Sequence, residues 1–447
     1  MLSWASRFNI CCFLDNHLYE HPSHSIECLL GVGDAGSIRA QAGNAFDQLE
    51  EFTAHHRDWL FGHLGYDLAA ETEPAPAGGM GQAMVAGAIS RLPTTEGTSR
   101  PGVPGGTVDP IGFPDLFFFI PLTVIELSNT WIRIGCLGTD PAAVWETILR
   151  EVPAPPRPGA ARLAPFQPRF SREEYLDTIQ ALRQHILRGD CYEINFCQEF
   201  FSHPARIDPL QTWLDLSKVS PSPFSAFYRI DEKYLLCASP ERYLRRTGDT
   251  LVSQPIKGTS PRFPGDLTAD MASRAHLYES AKDRSENVMV VDLVRNDLSR
   301  ICLPDSVRVE ELYGIYSFPQ VHQMISTIRG QLAPGTGFAA AIRATFPMGS
   351  MTGAPKNRVV GLIRQYERTR RGIFSGAVGY CRPEGDFDLN VVIRSILYNQ
   401  AGSYLSYLVG SGITFYSDPV LEYQECMMKA EGMKKALRMG EGPGNNI

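Results

Sequence analysis

The stretch AVGYCRPEGDFDLNVVIRSILYNQAGSYLSYLVGSG, residues 377–412, decides the fold class. It holds three runs rich in β-branched and aromatic residues, AVGYCR, LNVVIRSILY and YLSYLVGSG, set apart by short Pro, Gly, Asn and Ser clusters, and these runs predict strands. Upstream, SAFYRI and KYLLCAS read the same way, whereas ENVMVVDLVRND and NRVVGLIRQYERTRRG predict helices. Asp418 as N-cap and Pro419 in the first turn open a last helix that runs to about Arg438. Strands and helices mix without a regular βαβα alternation, so the pattern is α+β with antiparallel pairs.

Working toward the N-terminus, Ser171 and Glu174 form a capping box. Tyr175, Ile179, Leu182 and Ile186 then recur at helical spacing, and Gly189 sits where a helix would end. The preceding segment, VPAPPRPGAARLAPFQP, marks a boundary. It predicts an N-terminal subdomain over 1–150, a Pro-rich linker over 151–168 and a main domain over 169–438. Before the boundary, PLTVIEL and TWIRIGCL flank the turn residues Ser128 and Asn129 and read as strands. Glu73 to Gly79 and Pro93 to Pro114 read as loops, and GEGPGNNI at the end as a frayed tail.

A chain of 447 residues with 43% apolar composition can bury one large core or two moderate ones. The formal charge of −7 is mild for this length and spread along the chain, which argues against nucleic-acid or anionic-membrane partners. The ten cysteines show neither zinc spacing nor a secreted-type framework, and this fits a reducing cytoplasm. The most apolar stretch, Leu116 to Leu127, is broken by Pro121 and falls well short of the ~20 residues of a membrane-spanning helix. No basic region leads into a signal-peptide core, so the expected location is the cytoplasm.

Several residue patterns carry chemistry. Asp283 and Glu286, and likewise Glu422 and Glu425, lie three apart on predicted helices, where such positions share a face. Two helices that each present two carboxylates match the oxygen-rich needs of Mg²⁺, although one such pair alone is more often solvated surface. SQPIKGTSPR frames Lys257 with Pro255 and Gly258 in a turn-like stretch, and a lysine held in a partly desolvated pocket can act as an amine nucleophile. Glu241 in SPER is a candidate proton donor. FPMGSMTGAPK (346–356) and VGSGITFYSDP (409–419) are glycine-rich turns whose N–H groups suit a carboxylate or phosphate, but neither matches a nucleotide-binding motif. Arg394, inside an apolar strand, would be expensive to bury unless paired, and a substrate carboxylate is a good bidentate partner.

Taken in order, SPER, PIKGT, DRSENVMVVDLVRND, FPMGSMTGAPK, GAVGY, the strand with Arg394, GSG and EYQE resemble the chorismate-utilising enzyme family over residues 170–437. The resemblance implies an α+β sandwich of two large, mostly antiparallel sheets facing each other, with helices outside and a central active-site cleft. FGHLGYDLA at 61–69 looks like a stretch seen in the amino-transferring members. The resemblance makes Glu286 and Glu425 direct Mg²⁺ ligands, with Asp283 and Glu422 holding metal-bound waters. Arg394 and Tyr380 would grip a chorismate carboxylate, helped by N–H groups near Gly410 and Gly412 and by the cation of Lys429. Thr259, Thr352 and Gly353 would line the ring site.

Within the family, PIKGT discriminates, because anthranilate synthases carry Ala where Lys257 stands. Lys257 therefore points to the members that form 4-amino-4-deoxychorismate on the way to 4-aminobenzoate and folate. In the implied mechanism the Lys257 amine attacks ring carbon 2, Glu241 protonates the departing carbon 4 hydroxyl, and ammonia then displaces the lysine. This asks for a neutral Lys257 and a protonated Glu241. A His that serves pyruvate elimination in anthranilate synthases falls at Gln323, with His322 one residue away. Isochorismate and salicylate synthases use a lysine base where this chain has Glu193, which disfavours water as nucleophile. No cysteine lies in a GxCxG context, so ammonia is expected from a separate glutamine amidotransferase subunit. The competing readings are an anthranilate synthase large subunit and a non-catalytic chorismate-binding paralogue.

Overall fold

The computed structural model describes residues 1–19, 26–73, 109–152 and 161–439. Two large sheets face each other. Across the first, from one edge, run Gly353–Ala354, Glu193–Ser202, Tyr404–Ile413, Ser395–Asn399, Lys233–Ser239, Phe224–Ile230, Ile10–Asp15, Cys28–Val32, Thr123–Leu127 and Ile132–Cys136. The second runs Ile256–Pro261, Val321–Gln331, Thr250–Gln254, Arg242–Thr247, Phe387–Asn390, Ala377–Cys381, Leu60–Leu64, Leu116–Ile120 and Gly36–Ala40. Strand pairing among the described residues is antiparallel, as the residue pattern predicted. The first 150 residues supply strands to both sheets. Of the expected linker, 153–160 lies outside the described residues, and Arg162–Leu163 and Gln167–Pro168 pair with Ala205–Arg206 and with Phe200 and Phe201. Of the expected loops, 74–79 and 93–108 also lie outside them, as does the tail 440–447.

Phe61, Phe117, Phe119, Tyr228, Leu235, Val392 and Leu408 meet between the sheets. Helices cover both outer faces: Tyr175, Ile179, Leu182, Trp213 and Met433 pack on the first sheet, and Phe46, Leu49, Val290, Val294 and Ile342 on the second. LFFFI (116–120) shows why the most apolar stretch is a strand. Phe117 and Phe119 face the inter-sheet layer, Leu116, Phe118 and Ile120 face the helices, and a strand buried on both faces needs no polar alternation. The hairpin of Thr123–Leu127 with Ile132–Cys136 and the Ser171 capping box form where the sequence placed them. Among the described residues no helix is long and apolar enough to cross a membrane.

Three local expectations are corrected. LNVVIRSILY is two strands, because residues 391–394 cross from the second sheet to the first. Val391 and Val392 are buried in different cores on the way, so the apolar run conceals the break. The GSG segment continues a strand, Tyr404–Ile413, rather than forming a turn. PIKGT likewise belongs to the strand Ile256–Pro261.

Phe119 is fully buried in the layer that keeps the sheets apart. Phe119→Ala is expected to cost about 3–5 kcal/mol through lost transfer energy and a residual cavity. Urea unfolding of parent and variant would measure the loss.

Candidate active site

The elements that carry the site are β1 (Glu193–Ser202), β2 (Lys233–Ser239), β3 (Arg242–Thr247), β4 (Ile256–Pro261), β5 (Val321–Gln331), β6 (Ser395–Asn399) and β7 (Tyr404–Ile413), with helices α1 (Ala281–Ser299) and α2 (Pro419–Met439). They enclose a cleft of about 520 Å³, a volume suited to a small organic ligand. Lys257, Glu241, Thr259, Asp283, Glu286, Arg394, Gly410, Gly412, Glu425 and Lys429 all line it.

A bulge aims Lys257 into this cleft. Ile256 pairs with Ile325 and Thr259 with Gln323, so β4 carries one residue more than β5 across that interval. Gly258 accommodates the kink at φ +93°. Lys257 Nζ donates to Glu193 Oε1 at 2.5 Å. Gly412 makes the room, since a Cβ there would lie 2.7 Å from Glu193 Oε1 and 2.9 Å from Lys257 Nζ. Burial disfavours the ammonium, but the carboxylates of Glu193, Glu286 and Glu241 more than reverse this and raise the Lys257 pKa above its ordinary value. The resting lysine is therefore cationic, contrary to the neutral amine expected from the sequence, and its unforeseen partner Glu193 is the cause.

Glu241 occupies the short connection in which the chain passes from β2 in one sheet to β3 in the other. Burial pushes its carboxyl from 4.5 to about 7, against the opposing pull of the Ser350 hydroxyl, of Lys257 and of the Ile256 backbone. This is the shift that a proton donor requires. Arg394 sits at the other crossing, just before β6, with its backbone left-handed at φ +53°. Among the described residues its guanidinium has no hydrogen-bond or ion-pair partner within the protein, and burial lowers its pKa while Glu425 raises it. An unpaired cation in a cleft is an anion site.

The four acids of α1 and α2 gather at one side. Glu286 is pushed up to about 7, first by burial, with Lys257 opposing, whereas Glu425 is held low by the Lys429 ammonium 2.7 Å away. Lys282 Nζ lies 3.8 Å from Glu286 and 3.5 Å from Glu422. Glu286 Oε1 and Glu422 Oε2 are buried without hydrogen-bond partners, which fits a site for a hard divalent cation. Among the described residues no three ligating side chains yet converge, and a cation there would compete with the Lys282 ammonium. Lys429 Nζ also donates to Gly410 O at 2.9 Å.

Some expected residues lie elsewhere. Tyr380 stacks beside Trp59 and Phe61 and lines a separate cavity of about 80 Å³ with Asp15, Ser225 and Asn390. Phe374, six positions earlier, is the aromatic residue that lines the cleft. The GSMTGAPK turn reaches the cleft through Ser350 and Met351. Thr352 is buried behind them, its hydroxyl donating to Met348 O, and Gly353 packs on the Glu193 backbone, where a Cβ would lie 2.0 Å from Glu193 O. These two residues hold β1 in place rather than lining the ring site. His322 is turned away, its ring bonded to Ser317 and Asp270, whereas Gln323 lines the cleft with Oε1 unpartnered. Lys282, Gln323, Phe374 and Asn195 are cleft residues not foreseen as site residues. Lys282 carried a signal in its place beside Asp283, and Gln323 in its place at the His position of anthranilate synthases.

The pattern of the family described as chorismate binding enzyme matches residues 12–435. An aminodeoxychorismate synthase of Streptomyces pristinaespiralis is 41% identical over 60% of this chain and 37% of its own length. Aminodeoxychorismate synthase component 1 of Klebsiella aerogenes is 40% identical over 58% of this chain and 57% of its own. The chain thus spans less than two thirds of the length of either relative. Anthranilate synthase component 1 of Thermus thermophilus is 33% identical over 74% of this chain and 73% of its own. The crystal structure of anthranilate synthase component I from Streptococcus pneumoniae superposes with a TM-score of 0.74 at 23% identity over 93% of each chain, and so shares the fold of two large sheets with outer helices.

The raised Glu241 carboxyl has a consequence for stability. Between pH 4.5 and about 7 the folded chain retains a proton on Glu241 that the unfolded chain has lost, so stability falls as pH rises through that window. Glu241→Gln should flatten part of this dependence, with Glu286 and Asp297 among the buried carboxyls that contribute the remainder. Urea midpoints of parent and variant across the window would check it.

Proposed function

Because the chain belongs to the chorismate-binding enzyme family, we propose that it aminates chorismate with ammonia to 4-amino-4-deoxychorismate through a covalent adduct on Lys257. The observation that carries this reading is a buried lysine, delivered by a bulge into the cleft, beside a carboxyl that burial keeps protonatable near neutral pH. The two relatives named aminodeoxychorismate synthase support it, and so does Gln323 in the cleft with His322 turned outward.

The residues take roles that follow from their positions. Arg394 binds a substrate carboxylate with its free guanidinium, and Phe374, Met351 and Thr259 bound the ring. Lys429 adds a cation beside them. Glu286, Glu425, Asp283 and Glu422 would hold Mg²⁺, which supplies positive charge to a second carboxylate when bound. The Lys257 amine forms a bond to ring carbon 2, the ring double bonds shift, and the carbon 4 oxygen leaves as water with the proton of Glu241. Ammonia then bonds to carbon 4, the lysine departs from carbon 2, and Glu241 takes back a proton from the new amine. The ammonia comes from a separate glutamine amidotransferase subunit, and the product feeds 4-aminobenzoate and folate synthesis.

The test is mass spectrometry of products from the full chain with chorismate, Mg²⁺ and an ammonium salt, beside Lys257→Ala and a chelator control. Chelator-sensitive 4-amino-4-deoxychorismate without pyruvate is expected, with a loss of about 10³-fold or more in Lys257→Ala. Anthranilate with pyruvate would replace this reading with that of the Thermus relative, and chorismate binding without turnover would replace it with a non-catalytic one.

A further inference from the structure

Lys257 Nζ donates a hydrogen bond to the buried Glu193 carboxylate at 2.5 Å, and an amine engaged this way gains a lone pair to attack with only when a base within reach takes its proton. Glu193 on β1 meets that need. Its carboxylate is buried, accepts from Lys257 Nζ at 2.5 Å, and leaves Oε2 without a hydrogen-bond partner among the described residues. Three features fix it there. Tyr192 N donates to Ala354 O and Asn195 N to Thr352 O, both at 2.7 Å, so β1 is tied to the GSMTGAPK turn on either side of Glu193. Gly353 lets the two backbones touch, and Gly412 leaves the space that the paired head groups fill.

The other charged groups facing Lys257 are otherwise engaged. Glu241, from the crossing after β2, is the proton donor of the proposed reaction and interacts with Ser350. Asp283 and Glu286 on α1 and Glu422 on α2 surround Lys282 or the proposed cation site, and Glu425 on α2 is paired with Lys429. Arg394 and Lys282 are cations.

We propose that Glu193 is the catalytic base that takes a proton from Lys257 and returns it after the adduct is resolved. The inference rests on the reading of Lys257 as the nucleophile. The balance closes as follows. Glu193 carboxylate and Lys257 ammonium become carboxylic acid and amine. The amine bonds to carbon 2 as a secondary ammonium while hydroxide leaves carbon 4 and is protonated by Glu241. Ammonia bonds to carbon 4, the carbon 2–nitrogen bond breaks with its electron pair returning to Lys257, and the new ammonium on carbon 4 gives a proton to Glu241. Glu193 then reprotonates Lys257. The direct contact gives the proton a path of one hydrogen bond with no water between, and the neutral pair it produces carries no buried charge.

The experiment follows adduct formation by intact-protein mass spectrometry, with chorismate and Mg²⁺ present and ammonia omitted, for the full chain, Glu193→Gln, Glu193→Asp and Lys257→Ala. The parent should gain the mass of chorismate less water, and Lys257→Ala should not. Glu193→Gln should form the adduct about 10²-fold more slowly near neutral pH, with the shortfall against the parent narrowing as pH rises and solvent takes over deprotonation. Glu193→Asp keeps a carboxylate and should lose rate without that narrowing. A Glu193→Gln chain as fast as the parent overturns the proposal and leaves Lys257 as nucleophile. Equal losses in the Gln and Asp variants with matching pH dependence reduce Glu193 to a packing role and also overturn it. An adduct that persists in Lys257→Ala removes the lysine reading itself, and this inference with it.

Discussion

Two crossings of the chain between the sheets are bonded to each other, and the site depends on that junction. Val391 N donates to Glu241 O at 3.0 Å, and Ala238 N donates to Arg394 O at 3.2 Å. Much of the remaining space between the sheets is filled by inward-facing apolar side chains, with His63 and Tyr228 hydrogen-bonded among them. At the crossings the backbone leaves one sheet for the other, and polar side chains can enter the gap without displacing a ladder. Glu241 and Arg394 are placed this way. The left-handed backbone of Arg394 costs of order 1–3 kcal/mol, and the hydrogen bonds of the junction help to hold it.

The electrostatics follow from crowding in a cavity with little water. Lys257 is matched by Glu193, Lys429 by Glu425, and Lys282 by Glu286 and Glu422, while among the described residues Arg394 is left without an ion-pair partner. Four acids and four cations line the cleft, the buried Glu193 and Glu422 beside it tip the balance toward acids, and burial raises the carboxyl pKa values of Glu241 and Glu286. This is the electrostatic reason that the proposed substrate, an anion, would arrive with a divalent cation. The same crowding explains why Gly412 must be glycine, because a methyl group would part the Lys257 and Glu193 head groups.

How much was legible in the residues varied with the range of the interaction that decided each feature. The capping box at Ser171, the hairpin around Ser128 and the last helix from Asp418 follow from neighbours a few positions apart, and they stand where the sequence placed them. The motifs SPER, PIKGT and EYQE named Glu241, Lys257 and Glu425, and the structure brings all three to one cleft. Tyr380 was expected at a substrate carboxylate from the family resemblance, yet its place on the strand Ala377–Cys381 and its packing on Trp59 turn it to another cavity. Period-two alternation gives opposite faces to adjacent residues, which is also why His322 and Gln323 part company.

The sequence by itself determined the α+β class, the antiparallel pairing, the family and the acids, lysine and arginine around which the cleft is built. Only the tertiary structure decided that residues 391–394 cross between sheets, that a bulge aims Lys257, and that the partner of Lys257 is Glu193, 64 positions away in the chain. Local patterns record the free energy of turns, caps and faces, which depends on near neighbours. The charge state of a buried lysine depends on whichever carboxylate the folded chain sets beside it, and no local pattern carries that distance.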